Sequence, residues 1–203
     1  MPNWCSTRIN FYGDKAALSD LHDKIEKYTS SSVKKSDFGN NWLGNIVLGF
    51  GLTYDGDSGV CCRGSLDFLD EANENGEFNI DTETAWVPML RMWEKIIEKH
   101  YSDSNGDPLI FFDWLAEELG CGLYCTNNLN AFAEKYRCDF CIDDDYETFY
   151  FDNEKDVIET ANEFFKKHSL PSITTINEIN NYESDDSYMI VNVLEEVDNC
   201  YFD

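Results

Sequence analysis

The chain has 203 residues, 42% hydrophobic and 15% aromatic, and a formal charge of −25. That is enough apolar material for one large or two small packed domains, which excludes global disorder. No apolar run is long enough to span a membrane, and so acidic a chain is not expected to bind a phosphate backbone directly.

The charge is one-sided. Met1–Arg63 holds seven acids and seven bases, so the remaining 140 residues carry all of it. An acidic surface suits solubility, cation binding, a basic partner or mimicry of the charge of DNA. The opening MPNWCSTRINFYG has no basic stretch followed by an apolar one, so the expectation is a soluble cytoplasmic protein. Eight cysteines in such a protein are expected as thiols or metal ligands rather than a disulfide framework.

In chain order, Cys5, Thr7, Ile9 and Phe11 alternate with polar residues and predict a first strand. Asp14 is a helix N-cap, and Leu18, Leu21, His22, Ile25 and Tyr28 share one face of the helix it opens. Residues 29–58 read as an inserted loop. Within it NWLGNIVLGFGL, Asn41–Leu52, is a short strand or a cover for one end of the sheet. Val60–Leu69 is the next strand. A polar turn at Ala72–Gly76 joins it as a hairpin to the strand that follows. There Phe78, Ile80, Thr82, Thr84 and Trp86 point one way. Pro88 fits the first turn of a helix carrying Met89, Met92, Trp93, Ile96, Ile97 and His100. After the SDSNGDP breaker comes the strand Leu109–Leu115. The order is β-α-β-β-α-β, a ferredoxin-like α+β sandwich with an antiparallel sheet over residues 1–120.

Residues 121–203 read as an acidic C-terminal β/α unit packed on the first. Gly120–Asn127 is a short strand and Asn128–Lys135 two helical turns. Tyr136–Ile142 and Glu147–Phe151 form a hairpin around Asp143-Asp144-Asp145. Asp152 or Asn153 caps a helix bearing Val157, Ile158, Ala161, Phe164, Phe165 and His168 on one face. Ile173–Ile179 and Tyr188–Val193 are terminal strands. From Gly122 the order can again be read β-α-β-β-α-β, so a second ferredoxin-like unit and a simpler elaboration of the first sheet are both open.

Three groups of residues carry a resemblance. Met1-Pro2-Asn3-Trp4-Cys5, the TETAWVP run at Thr82–Pro88 and the ELGCGLYC run at Glu118–Cys125 resemble the YubB-type ferredoxin-like family of plasmid, phage and bacterial proteins. The WLGN run at Trp42–Asn45 and the CRGS run at Cys62–Ser65 look like a subfamily pattern. The resemblance covers about the first 126 residues. The chain departs from the pattern at Val87-Pro88 and Leu119, where a Pro-Pro pair and a Pro are usual. The resemblance implies the ferredoxin-like fold and an accessory role in a mobile genetic element, with no biochemical activity attached.

Chemistry is sparse. Cys121-x3-Cys125 and Cys138-x2-Cys141 lie twelve residues apart, near zinc-site spacing. Cys138 and Cys141, however, face opposite sides of a strand, and buried thiols are the competing reading. Asp55-x-Asp57 and Asp103-x-Asn105-x-Asp107 have oxygen ligands at alternate positions but lack the glutamate that completes a calcium loop. Gly49-Phe50-Gly51 is a fragment of a dinucleotide fingerprint without its third glycine. His22 and His168 sit on apolar helix faces, and no Ser or Cys stands in a nucleophile elbow. No catalytic residue and no cofactor is expected.

Trp42, Asn45 and Trp86, with the acidic Asp143, Asp144 and Asp145, are the candidate partner-binding residues. The leading function is a non-enzymatic interaction module that binds a basic host protein, in one version as a DNA mimic. The alternatives are a metal-dependent hydrolase using clustered carboxylates and a structural or oligomerising subunit.

Overall fold

A computed structural model describes residues 3–30, 38–54, 59–118, 120, 122–143, 145–184 and 187–199. It shows an α+β protein in two compact units, Met1–Asn127 with Val197–Asp203, and Asn128–Glu196.

The first unit runs β1 (Trp4–Gly13), α1 (Lys15–Thr29), α2 (Leu43–Gly49), β2 (Gly64–Leu69), β3 (Phe78–Ala85), α3 (Leu90–His100), β4 (Ile110–Glu118) and β5 (Leu123–Thr126). With β10 (Glu195–Glu196) these strands make a mixed six-stranded sheet in the order β10-β5-β4-β1-β3-β2. β1 is central and antiparallel to both β3 and β4. Its period-2 pattern buries Cys5, Thr7, Ile9 and Phe11 on the helix side. Cys5, Ile9 and Phe11 meet Leu18, Leu21 and Ile25 of α1 and Met92, Trp93, Ile96 and Ile97 of α3 in one apolar cluster. Phe11 anchors it, stacked on Phe78 at 5.1 Å and edge-on to Trp93 at 5.4 Å. Truncating a fully buried tryptophan such as Trp93 costs about 3–5 kcal/mol.

Local signals place the elements. The Asp14 carboxylate accepts from the Ala17 amide at 2.9 Å and starts α1. Gly13 has φ 136°, and a Cβ there would stand 2.3 Å from the Leu109 carbonyl oxygen, so only glycine lets β1 end against the start of β4. A bulge between Leu66 and Phe68 shifts the register of β2 on β3.

The second unit runs β6 (Tyr136–Ile142), β7 (Asp145–Phe151), α4 (Glu154–Lys167), α5 (Ile176–Asn180), β8 (Glu183–Ser184) and β9 (Ser187–Val193). Its antiparallel strands lie in the order β7-β6-β9-β8. Cys138, Phe140 and Ile142 of β6 meet Val157, Ala161, Phe164 and Phe165 of α4 in a core of their own. Asn153 caps α4 by accepting from the Asp156 amide at 3.1 Å. Glu154 and Asp156 stand in the first turn and Lys166 and Lys167 in the last, as the helix dipole favours.

Four expectations need correction. Asn41–Leu52 carries a helix, α2, not a strand, and Gly49 ends it rather than opening a nucleotide loop. Asn128–Lys135 is turns, and β5 pairs with β4, so the second unit reads β-β-α-α-β-β rather than repeating the first. Ile173–Ile179 is no strand. The Thr175 and Glu178 side chains form a capping box that opens α5. Pro88 lies outside α3, which begins at Leu90 with Met89 at its N-cap. Among the described residues no helix is long and apolar enough to cross a membrane.

Candidate functional site

Strand alternation places two sets of side chains on β1, β3 and β4: one in the core, the other on the face away from the helices. The register fixes the second set row by row. Ser6 lies between Glu83 and Glu117, Arg8 between Asp81 and Leu115, and Asn10 between Asn79 and Asp113, while Tyr12 pairs with Phe111. All of these are exposed or half-buried. Neighbouring strands are about 4.8 Å apart, so Glu83 and Glu117 flank Ser6 at roughly 10 Å from each other. Arg8 is the one cation in these rows, and its Nε already lies 3.5 Å from Asp81 Oδ1. The Glu83 carboxyl is pushed up from its ordinary range by loss of water, then by the charges of Asp67 and Glu117. The face is therefore rich in carboxylates.

Aromatic residues border it. Trp4 is 54% exposed and Phe68 53%. Tyr12 and Phe111 stack on each other at 5.9 Å. Both also line an open cleft of about 550 Å3 with Phe112, Pro108 and Ile97, where Arg91, Glu94, Glu98 and Asp113 supply the charges. Arg91 is held by Glu94 at 2.8 Å, and Lys95 holds Glu98 at 2.6 Å. Among the described residues Asp113 has no basic partner. The Tyr12 pKa is raised by burial first and then by the Asp113 charge beside it.

At one end of the sheet the chain leaves β3 through Trp86, which has φ 74° and is 45% exposed. Its amide donates to the Asn3 carbonyl at 2.9 Å. A bulky residue in this conformation carries strain of order 1–3 kcal/mol. The strand alternation predicts Trp86 on the buried side with Thr84, and the turn to positive φ is why it is not.

In the second unit β6 carries Arg137 and Asp139 on the face away from α4, and both are buried. Asp139 Oδ1 accepts from Thr148 Oγ1 at 2.8 Å and the Tyr146 hydroxyl at 3.1 Å, with Arg137 Nη2 at 3.5 Å. Its Oδ2 has no hydrogen-bond partner. The Tyr150 ring lies 6.0 Å from the Arg137 guanidinium. Sequence reasoning missed this pair. The alternation of YRCDFCI, with two charges in mid-strand, was the signal that could have found it.

The residues singled out from the sequence lie on different elements of each unit. Trp42 is half-buried at the N-cap of α2, packed on Phe38 and Tyr54 at 4.8 and 5.0 Å. Its indole covers Gly44, where a Cβ would stand 2.3 Å from the ring. Asn45 is 1% exposed, and its Nδ2 donates to the Gly39 and Asn40 carbonyls, both at 2.8 Å. It ties the preceding loop to α2, and its buried Oδ1 has no hydrogen-bond partner. Asp143 is exposed with φ 49°. Asp144 lies outside the described residues. Asp145 is engaged by Lys167 at 2.6 Å and His168 at 2.9 Å, so it clamps the start of β7 to the end of α4.

Cys125 lies in the core of the first unit and Cys138 in that of the second, while half-buried Cys141 takes the opposite face of β6. Cys121 is outside the described residues. Among the described residues no three His, Cys, Asp or Glu come together as metal ligands. Asp55 and Asp57 are also outside them. Asp103 Oδ1 accepts from the Asn105 and Asp107 amides at 2.7 and 3.0 Å, which closes a polar turn. His22 and His100 bond to the carbonyls of Asp70 and Phe50 at 2.9 and 2.8 Å.

Comparison with protein-family models, curated proteins and solved structures finds no match to this chain.

Proposed function

We propose that the protein is a non-enzymatic interaction module whose first unit docks a basic protein surface on the outer face of its sheet. One observation carries the reading. Asp81, Glu83, Asp113 and Glu117 share that face with a single arginine already paired to one of them, inside a border of exposed aromatic residues. Exposed aromatic residues beside a charged patch suit a protein contact, and complementary potential gives such contacts speed and specificity. Loss of water first, and then the Asp67 and Glu117 charges, raise the Glu83 carboxyl, and a cationic partner offsets the second of these. Carboxylates held in rows by strand register are also compatible with DNA mimicry, in which the partner is itself a nucleic-acid-binding protein. The order β4-β1-β3-β2, with α1 and α3 in one core, supports a ferredoxin-like reading of the first unit. With it goes the proposal that the chain is related to the YubB-type family, as an accessory protein of a mobile element.

The test separates this face from the general acidity of the chain. Binding of an oligo-arginine peptide is compared for E83Q/E117Q on the face and E71Q/E74Q in an exposed turn, which remove equal charge. The face pair is expected to weaken binding about tenfold, a loss of roughly 1.4 kcal/mol, and the turn pair less than twofold. Equal effects would return the interaction to net charge alone.

A further inference from the structure

We propose that the cleft beside this face is an anchor pocket for a single arginine side chain of the basic partner, an assignment that rests on the reading above. The cleft holds about 550 Å3, within the range of sites that bury a small ligand. Its charged lining is three carboxylates and one guanidinium. Two of those carboxylates are spoken for, Glu94 by Arg91 and Glu98 by Lys95. Asp113 has no ion-pair partner among the described residues and stands beside Tyr12 in the lining. An external cation can pair with it there.

The walls choose the kind of cation. Tyr12 and Phe111 form a stacked aromatic pair beside Asp113, and Phe112 and Pro108 extend the apolar surface. A planar guanidinium lies flat on an aromatic ring while its N–H groups reach a carboxylate, and its three-carbon stem buries against apolar groups. An ammonium is a compact, strongly hydrated charge that gains less from such a wall. Arginine filling a pocket at the edge of a larger surface is also a common form of binding hot spot.

The isotope-labelled full chain is titrated with N-acetyl-arginine amide, and separately with the lysine and citrulline analogues, while backbone amide shifts are recorded. Citrulline keeps the shape of arginine and removes its charge. Saturable shifts centred on Tyr12, Phe111 and Asp113 are expected, with a dissociation constant on the order of millimolar for so small a probe. Citrulline should bind at least tenfold more weakly and lysine several-fold more weakly. D113N should reduce arginine binding at least tenfold. F111A serves as a second variant, and both are checked for an unchanged thermal melt. Absence of saturable shifts, equal binding of citrulline, or wild-type affinity in D113N overturns the assignment. If the arginine probe fails while E83Q/E117Q still weakens the oligo-arginine peptide, the pocket is wrong and the sheet face stands. If the pocket binds and the face pair has no effect, the reading of the face fails alone.

Discussion

Replacing Asp139 by alanine should destabilise the second unit by about 3 kcal/mol. The carboxylate is 1% exposed, and its Oδ1 gathers the Thr148 and Tyr146 hydroxyls and the Arg137 guanidinium. Removing one member of a buried ion pair costs about 3–5 kcal/mol, because the remaining charge keeps its desolvation penalty without its partner. The 3.5 Å separation from Arg137 is long and places the pair at the lower end. The two hydroxyl donors that lose their acceptor prevent the cost from falling further. Against a typical domain stability of about 5–15 kcal/mol this is a large fraction. Urea unfolding followed by tyrosine circular dichroism measures it. The double variant R137M/D139L removes both charges together and should cost clearly less than D139A, since an apolar pair of similar volume replaces a buried ion pair with little loss and only the two hydroxyls are left without their acceptor. A D139A cost below about 1 kcal/mol, or a double variant as damaging as the single one, would refute the account of Asp139 as a buried counter-charge of Arg137.

Three further outcomes are expected. W86G should raise the thermal stability by about 1 kcal/mol, because glycine accepts positive φ without strain, whereas W86A should not; a W86G variant destabilised in the melt would show that the exposed indole is held by packing. The Asp145 carboxyl is held below its ordinary range by hydrogen bonds first from Lys167 and then from His168. A depressed folded-state pKa contributes stability that is complete above the unfolded value of about 3.9 and disappears as pH falls through the lower folded value. D145N should flatten that part of the urea midpoint's acid dependence, and an unchanged profile would contradict the clamp. Burial, then the charge of Asp139, pushes the Cys138 thiol up to about 12, whereas Cys61 is exposed. Ellman's reagent at pH 8 should modify Cys61 within the native protein and leave Cys138 intact until unfolding, as peptide mapping can follow.

Much of the first unit was legible because its elements obey simple periods. The alternation in β1 and β3, the Asp14 cap and the apolar stripe of α3 each follow from local sequence, and the structure places them accordingly. Where local signals were weak, tertiary contacts decided. The glycines of NWLGNIVLGFGL suggest a broken strand, yet Gly44 suits a helix because only a bare Cα leaves room for the Trp42 indole. The Thr175-x-x-Glu178 capping box was readable, but the β-branched residues around it outweighed it in the strand reading. Trp86 obeys the alternation up to a backbone turn that no side-chain pattern reveals.

The candidate face was illegible for a different reason. Glu83 and Glu117 come from distant segments and face each other only through Ser6 of a third strand, so their proximity is a property of register. The same holds for the cleft, where Tyr12 meets Phe111 across a pairing of two strands. The acidic excess was visible from composition. Composition alone pointed to Asp143–Asp145, but Asp145 is engaged by a lysine and a histidine of its own unit.

The central claim, that the acidic sheet face binds a basic surface, is tested most directly by the salt dependence of that binding. The dissociation constant for the oligo-arginine peptide is measured between about 50 and 300 mM salt, where the Debye length shortens from roughly 14 to 6 Å, for the wild type and for E83Q/E117Q. We expect wild-type affinity to fall at least tenfold across the range, with a clearly shallower slope for the face variant. A slope identical in the two proteins, or an affinity indifferent to salt, would contradict it.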